Sequence, residues 1–172
     1  MATKCFGDIT RTPSPARINV DISAQTLSLE SIEFTRTYTI SSAENGTGQA
    51  DGSGCTPLGK HYIRAKIGEN SPLGSVFVGR RATGEVYSTD LSQRNPERDW
   101  ILSRILWLSG MERGLNRLGT VDTMRRFIYI HGTPDSEPMG VPLSHGCIRM
   151  RNTDIVELYD RVCVGTRVFI RE

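Results

Sequence analysis

What this 172-residue sequence lacks narrows it first. It has no unbroken apolar run of the roughly 18 residues that a membrane-spanning helix requires. Its most apolar stretch, Trp100 to Leu108, is interrupted by Ser103 and Arg104. The four cysteines, Cys5, Cys55, Cys147 and Cys163, contain no CxxC pair, which argues against a zinc ribbon or a thioredoxin-type motif. They are also too sparse for a secreted disulfide scaffold. Charge of one sign is missing as well: 21 Lys and Arg face 19 Asp and Glu, a net +2. That balance leaves no electrostatic footprint for nucleic acid or an anionic membrane. The first residues, Met1 to Asp8, lack the apolar core of a leader peptide. Taken as a native start, they place the protein in the cytoplasm; if a leader has been removed, the periplasm is the alternative.

What is present describes a globular protein. Hydrophobic residues make up 37% and charged residues 23%, a composition able to fill a core. The length suits one domain. The 17 glycines exceed the usual share of about 7% and point to many turns, and so to β structure. Residues 1–16 carry Pro13 and Pro15 without periodicity and read as an N-terminal tail or edge segment. From Arg17 the apolar residues alternate: Ile18, Val20, Ile22, then Leu27 and Leu29, Ile32 and Phe34, Tyr38 and Ile40. Period two predicts short strands. More strands are expected near His61 to Ile67, Val76 to Val78, Glu85 to Ser88, Phe127 to Ile130 and Arg167 to Ile170. Trp100 to Leu108 reads equally as a helix or a buried strand. Two long polar segments, Ser41 to Pro57 and Glu112 to Thr123, read as loops that could narrow a cleft or close over it. One helix is well defined: Asn152 or Thr153 can cap it, and Ile155, Leu158, Tyr159 and Val162 follow at helical spacing. The expected fold is mainly β, with one or two short helices, over a single domain at 17–172.

Two motifs carry chemistry at first sight. Gly54 to Lys60 fits seven places of a phosphate-binding loop, but the eighth is His61 where Ser or Thr must hold magnesium, and a strand follows where a helix is needed. It reads as a turn. The second motif is stronger. His131 ends an apolar run, and Ser144-His145-Gly146-Cys147 follows within seventeen residues. A thiol attacks an amide carbonyl only as thiolate, so it needs a neighbouring imidazole to take its proton. A strand end is a rigid mount for that imidazole. Gly146 permits a turn whose amides can face an oxyanion. On residue types alone, His131, His145 and Cys147 could also be a zinc set or plain structural residues. Cys163 reads as a small buried apolar residue, and Cys5 and Cys55 as loop positions without a role.

The run Ser144-His145-Gly146-Cys147-Ile148-Arg149-Met150, with His131-Gly132-Thr133 sixteen residues before the cysteine, resembles the L,D-transpeptidase (YkuD-type) catalytic domain. Thr56-Pro57-Leu58-Gly59 resembles that family's upstream turn. The resemblance implies a sandwich- or barrel-like β domain. It makes Cys147 the nucleophile and His131 its base, oriented by the Gly132 carbonyl. His145 and Ser144 would shape the cysteine loop, Ser144 on the substrate side. The amides of Gly146 and Cys147 would form the oxyanion hole, and Arg149 would stabilise the site or bind a substrate carboxylate, with a surface ion pair as its ordinary alternative. The implied substrate is a peptidoglycan stem tetrapeptide or muropeptide, cut before its terminal D-Ala through a thioester. No metal or cofactor is implied, and carbapenem-type β-lactams would be covalent inhibitors. With water as acceptor, the enzyme is a cytoplasmic murein L,D-carboxypeptidase of recycling, the reading the absent leader favours. With an amine, it is a periplasmic L,D-transpeptidase forming 3→3 cross-links or attaching lipoprotein. A non-catalytic module that binds wall peptides stands as the third class.

Overall fold

The structure, a computed structural model, describes residues 16–172. All of the expected tail except Ala16 therefore lies outside the described residues, as does Cys5. The alternating segments form β1 (Arg17–Asp21), β2 (Thr26–Glu30) and β3 (Thr35–Ser41). They are followed by β4 (Gly59–Ile67), β5 (Ser75–Val78) and β6 (Arg81–Val86). Then come α1 (Thr89–Arg94), β7 (Ile101–Gly110), β8 (Tyr129–Gly132) and β9 (Ile148–Met150). Helix α2 (Asn152–Arg161) and β10 (Arg167–Arg171) complete the chain.

The strands run in the order β4-β10-β1-β2-β3-β9-β8-β7-β5-β6, and β4 also pairs with β7. That last pairing closes the sheet into a barrel and leaves β5 and β6 as a hairpin hung from β7. Ile18, Val20, Leu27, Leu29, Ile40, Ile63, Leu106, Ile130 and Ile148 point inward and meet Ile155, Leu158 and Tyr159 of α2 in one core. Each such side chain stabilises the fold by about 1.5–3 kcal/mol when fully removed from water. The central strand β8 is buried at every position, which rigidly fixes whatever it carries.

Several local expectations change. Ile101 to Leu108 resolves as part of the strand β7, apolar on both faces but for Ser103 and Arg104 because it is buried along nearly its whole length. Ile32 lies in the β2–β3 turn, 83% exposed. Glu85 to Ser88 is the end of β6 followed by the cap of α1, whose Ser88 side chain accepts from Leu91 N. Asn152 does not cap α2; it opens the helix, and its side chain accepts from Ser103 Oγ and donates to Thr133 O, tying β7 to β8. Cys163 is exposed and disulfide-bonded, not buried. The residues after Lys60 form the strand β4, so no phosphate-binding helix follows.

Candidate active site

The two long polar segments brace the cysteine turn from beneath. Thr56 is fully buried; its Oγ1 accepts from Ala43 N at 3.0 Å and donates to Gly146 O at 3.1 Å. Glu44 N donates to Ser144 O at 2.9 Å, and Asp51 N reaches Thr120 O at 2.7 Å, so the two segments also hold each other. Arg126 adds a clamp through Gly48 O, Cys55 O and Ser53 Oγ. Through these bonds the Ser41 to Pro57 segment forms part of the scaffold under the turn.

Gly146 carries φ +127°, and a Cβ there would press on Ile128 and the Cys55 carbonyl. Only glycine fits both the conformation and the space. Within the turn, Ser144 is buried and its hydroxyl donates to Cys147 O while accepting from Gly146 N at 3.3 Å. Ser144 thus holds the turn together and is not free for substrate. His145 is exposed, and its ring makes no hydrogen bond among the described residues. The expectation that the His145 side chain shapes the loop's hydrogen bonds is not met. The Gly146 amide is spent on Ser144 at long range, whereas the Cys147 amide has no partner among the described residues and is the better oxyanion donor.

His131 sits on β8 opposite Arg149 of β9. It is 1% exposed, and its Nδ1 meets Gly132 O at 2.8 Å, as expected. A carbonyl only accepts, so Nδ1 carries the proton and Nε2 keeps its lone pair. Gly132 is required for close packing: a Cβ there would lie 2.5 Å from Asn152 Oδ1 and 2.7 Å from Leu102 O. Burial pushes the imidazole below its ordinary value, opposed by the Gly132 bond and by Asp99. His131 is therefore neutral at pH 7.

Cys147 lies beside β8, its Sγ accepting from Tyr129 N at 3.3 Å and leaning toward Phe127 O at 3.5 Å. Burial pushes its thiol up to about 12, against the pull of the Tyr129 amide. A neutral thiol and a neutral imidazole whose Nε2 keeps its lone pair can serve as nucleophile and general base without a standing ion pair. Side chains of Tyr129 and His131 share one face of the strand, and the Tyr129 amide that holds the Cys147 sulfur lies two residues before His131.

Arg149 is 8% exposed. Its Nη2 donates to Asp99 at 3.0 Å and its Nη1 to Leu143 O at 3.2 Å, with Glu137 3.8 Å away. The guanidinium is not open to a substrate carboxylate; it is a buried group that pairs with the half-exposed Asp99 and steadies the site. It clamps the segment before Ser144 to β9. Sequence reasoning missed Asp99, the Tyr129 amide and Arg126. None carries a local signal, since each acts only through tertiary contact. No group of three or more His, Cys, Asp or Glu among the described residues could hold a metal ion.

Residues 15–170 match the family model described as the L,D-transpeptidase catalytic domain, YkuD. Among curated relatives, the "Probable L,D-transpeptidase YbiS" of Escherichia coli is 52% identical over 48 residues, 27% of this chain and 16% of that protein. The "Probable L,D-transpeptidase ErfK/SrfK" of Salmonella typhimurium is 53% identical over 45 residues, 26% of this chain and 15% of the relative. These matches thus span less than a third of either partner's length. In three dimensions the chain resembles an L,D-transpeptidase from Mycobacterium smegmatis, with a TM-score of 0.58 and 17% identity over 92% of this chain and 59% of that one. L,D-transpeptidase 3 from Mycobacterium tuberculosis, solved with a faropenem-derived adduct, gives 0.57 and 17% over 93% and 61%. At such identity the likeness concerns the fold.

Proposed function

Since the chain belongs to the L,D-transpeptidase catalytic domain family, we propose that it is a cysteine acyl-transfer enzyme acting on peptidoglycan stem tetrapeptides. The observation that carries this reading is the geometry of His131: buried, neutral, with Nδ1 fixed on Gly132 O and Nε2 free, on the strand whose Tyr129 amide holds the Cys147 sulfur. Nε2 takes the thiol proton as Sγ attacks the carbonyl carbon of the third stem residue. The carbonyl oxygen becomes an oxyanion and is met by the Cys147 amide. The intermediate collapses as the C–N bond to D-Ala breaks, and the departing amine takes the proton back from Nε2. The acyl group stays on Sγ as a thioester.

Two acceptors complete the reaction. Water gives a tripeptide and makes the enzyme an L,D-carboxypeptidase of murein recycling, the cytoplasmic assignment. The amine of a second stem gives a 3→3 cross-link, and a lipoprotein amine gives attachment.

Incubation with a purified tetrapeptide muropeptide tests both. Tripeptide with free D-Ala supports hydrolysis; dimers or exchange of D-amino acids support transfer. Neither product, or equal turnover by Cys147→Ala, would defeat the mechanism. A carbapenem is expected to add covalently to Cys147, read by intact mass and lost in Cys147→Ala.

A further inference from the structure

The wall beside the nucleophile is basic and aromatic, and nothing in the mechanism uses it. Trp107 of β7 and Phe127 lie with centroids 6.4 Å apart, and Tyr129 meets Trp107 edge-on. The guanidinium of Arg80 covers this surface, 4.6 Å from the Trp107 centroid and 4.7 Å from that of Phe127. It also donates to Tyr129 Oη at 2.8 Å. Arg80 comes from the two-residue turn between β5 and β6, where Gly79 and Arg80 have φ +53° and +67°. Such a turn is tight and aims its side chain in one direction. A left-handed conformation at a non-glycine residue is itself uncommon.

Arg98 and Arg149 each pair with a carboxylate. Arg80 forms no ion pair among the described residues. Its charge is held by flat rings and a phenol, so the remaining N–H donors are free for an anion. The distance is set by one residue: the Tyr129 amide holds the Cys147 sulfur and the Tyr129 hydroxyl holds Arg80. The guanidinium therefore stands one tyrosine side chain away from the attacking atom.

We propose that Arg80 binds a carboxylate at the end of the third stem residue's side chain and so selects diaminopimelate over lysine at that position. This rests on the stem-peptide reading above. The carboxylate of the departing D-Ala lies only one residue's backbone from the scissile carbon, too close to reach Arg80 from Sγ. The carboxylate of diaminopimelate ends a four-carbon extension from its α-carbon, matching the span of a tyrosine. Its methylenes would lie along Phe127, which is 51% exposed. Lysine offers only an ammonium to the same guanidinium.

The test compares wild type, Arg80→Gln and Arg80→Lys on three tetrapeptides ending in D-Ala. They differ only at the third residue: diaminopimelate, diaminopimelate amidated on its side-chain carboxyl, and lysine. Wild type is expected to release D-Ala from the first with kcat/KM about tenfold or more above the other two, the range of one charge-assisted hydrogen bond. The difference should lie chiefly in KM. Arg80→Gln should bring diaminopimelate down to the level of the other two and leave those unchanged, with Arg80→Lys between. Iodoacetamide should alkylate Cys147 at the wild-type rate in each variant. No preference in the wild type would overturn the assignment whatever the variants do. Equal losses on all three substrates in Arg80→Gln would also overturn it, pointing to the D-Ala carboxylate or to packing. Release of D-Ala from none of them would overturn the stem-peptide reading itself, and this assignment with it.

Discussion

His61 on β4 and His131 on β8 flank the same strand, β7, and are built alike. Each is at most 1% exposed. Each turns Nδ1 onto a glycine carbonyl, Gly59 O at 3.0 Å and Gly132 O at 2.8 Å. Each has its proton affinity lowered by burial, and each sits between an acid and an arginine: Glu112 and Arg126 for His61, Asp99 and Arg149 for His131. They differ at the other nitrogen. Nε2 of His61 is taken by Thr123 Oγ1 at 3.0 Å, while Nε2 of His131 has no partner among the described residues. That unmade bond is what fits His131, and not His61, for the role of base proposed above. Burial and depressed proton affinity are common to both and do not distinguish them.

The largest expected effect breaks the likeness in catalysis. His131→Gln should lower the rate of Cys147 acylation by about 10² to 10⁴, the usual contribution of a general base. Stability should fall by no more than about 1–2 kcal/mol, the cost of one orphaned buried carbonyl. His61→Gln should leave acylation per folded molecule within about twofold, a change too small for any group in the mechanism. Stopped-flow acylation by a carbapenem measures the first and urea unfolding the second. A comparable catalytic loss in His61→Gln would mean that the closed nitrogen matters to the chemistry.

The next effect tests what the two histidines share. A histidine that refuses its proton when folded accepts it when unfolded near its ordinary value of about 6.5. Its contribution to stability is therefore complete above that pH and is lost as pH falls toward the folded value. For His61 that value is about 4, so the loss between the two amounts to about 3 kcal/mol. His131 adds a loss of the same sign. Urea unfolding at pH 7 and pH 4.5 should show a steep decline in wild type and a shallower one in His61→Gln. An unchanged slope in the variant would show that His61 is protonated in the fold.

How much of this was legible in the sequence follows from where each signal lives. Alternation along Ile18, Val20, Leu27 and Leu29 is local, and β1 and β2 could be read from it. The apolar run of β7 is buried nearly throughout, which removes the alternation that separates strand from helix. The resemblance carried by Ser144 to Arg149 together with His131 to Thr133 pointed to Cys147, His131 and the Gly132 carbonyl. The rest of the site has no local signature. Asp99 lies in an ordinary polar stretch, and Arg80 acquires its surroundings only when the β5–β6 turn meets Trp107, Phe127 and Tyr129. Ser144 and Arg149 were visible as motif residues, but their roles depend on partners the motif does not contain. Asn152 carried a capping signal that tertiary bonding to Ser103 and Thr133 overrode.

A smaller effect concerns the brace that only the His131 side possesses. Thr56→Val keeps shape and removes the hydroxyl that joins Ala43 N to Gly146 O. Those two buried groups lose their partner, at a cost of about 1–3 kcal/mol. Because Gly146 precedes Cys147, acylation should also slow, whereas neither hydrogen bond of the His61 ring runs to Thr56. Unfolding free energy and acylation rate measured on one preparation separate the two consequences. Loss of stability with full acylation would show that the turn keeps its shape without the brace.

The smallest effect is electrostatic and contrasts the two acids. Asp99 raises the proton affinity of both His131 and Cys147, and Arg149 lowers both. In Asp99→Asn the raising charge is gone and Arg149 is left unneutralised on that side, so both shifts run downward. The acid limb of kcat/KM reports His131 in the free enzyme, and it should move to lower pH by less than about one unit, since the Asp99 side chain is half exposed and screened. Glu112→Gln removes the corresponding acid beside His61, which never meets substrate, and should leave that limb in place. It should instead cost stability, because Glu112 Oε2 accepts from Lys60 N at 2.7 Å and from Asn116 Nδ2 at 3.2 Å. An acid limb that moves upward in Asp99→Asn, or moves equally in Glu112→Gln, would show that the limb is not set by His131, and the assignment of the base would have to change.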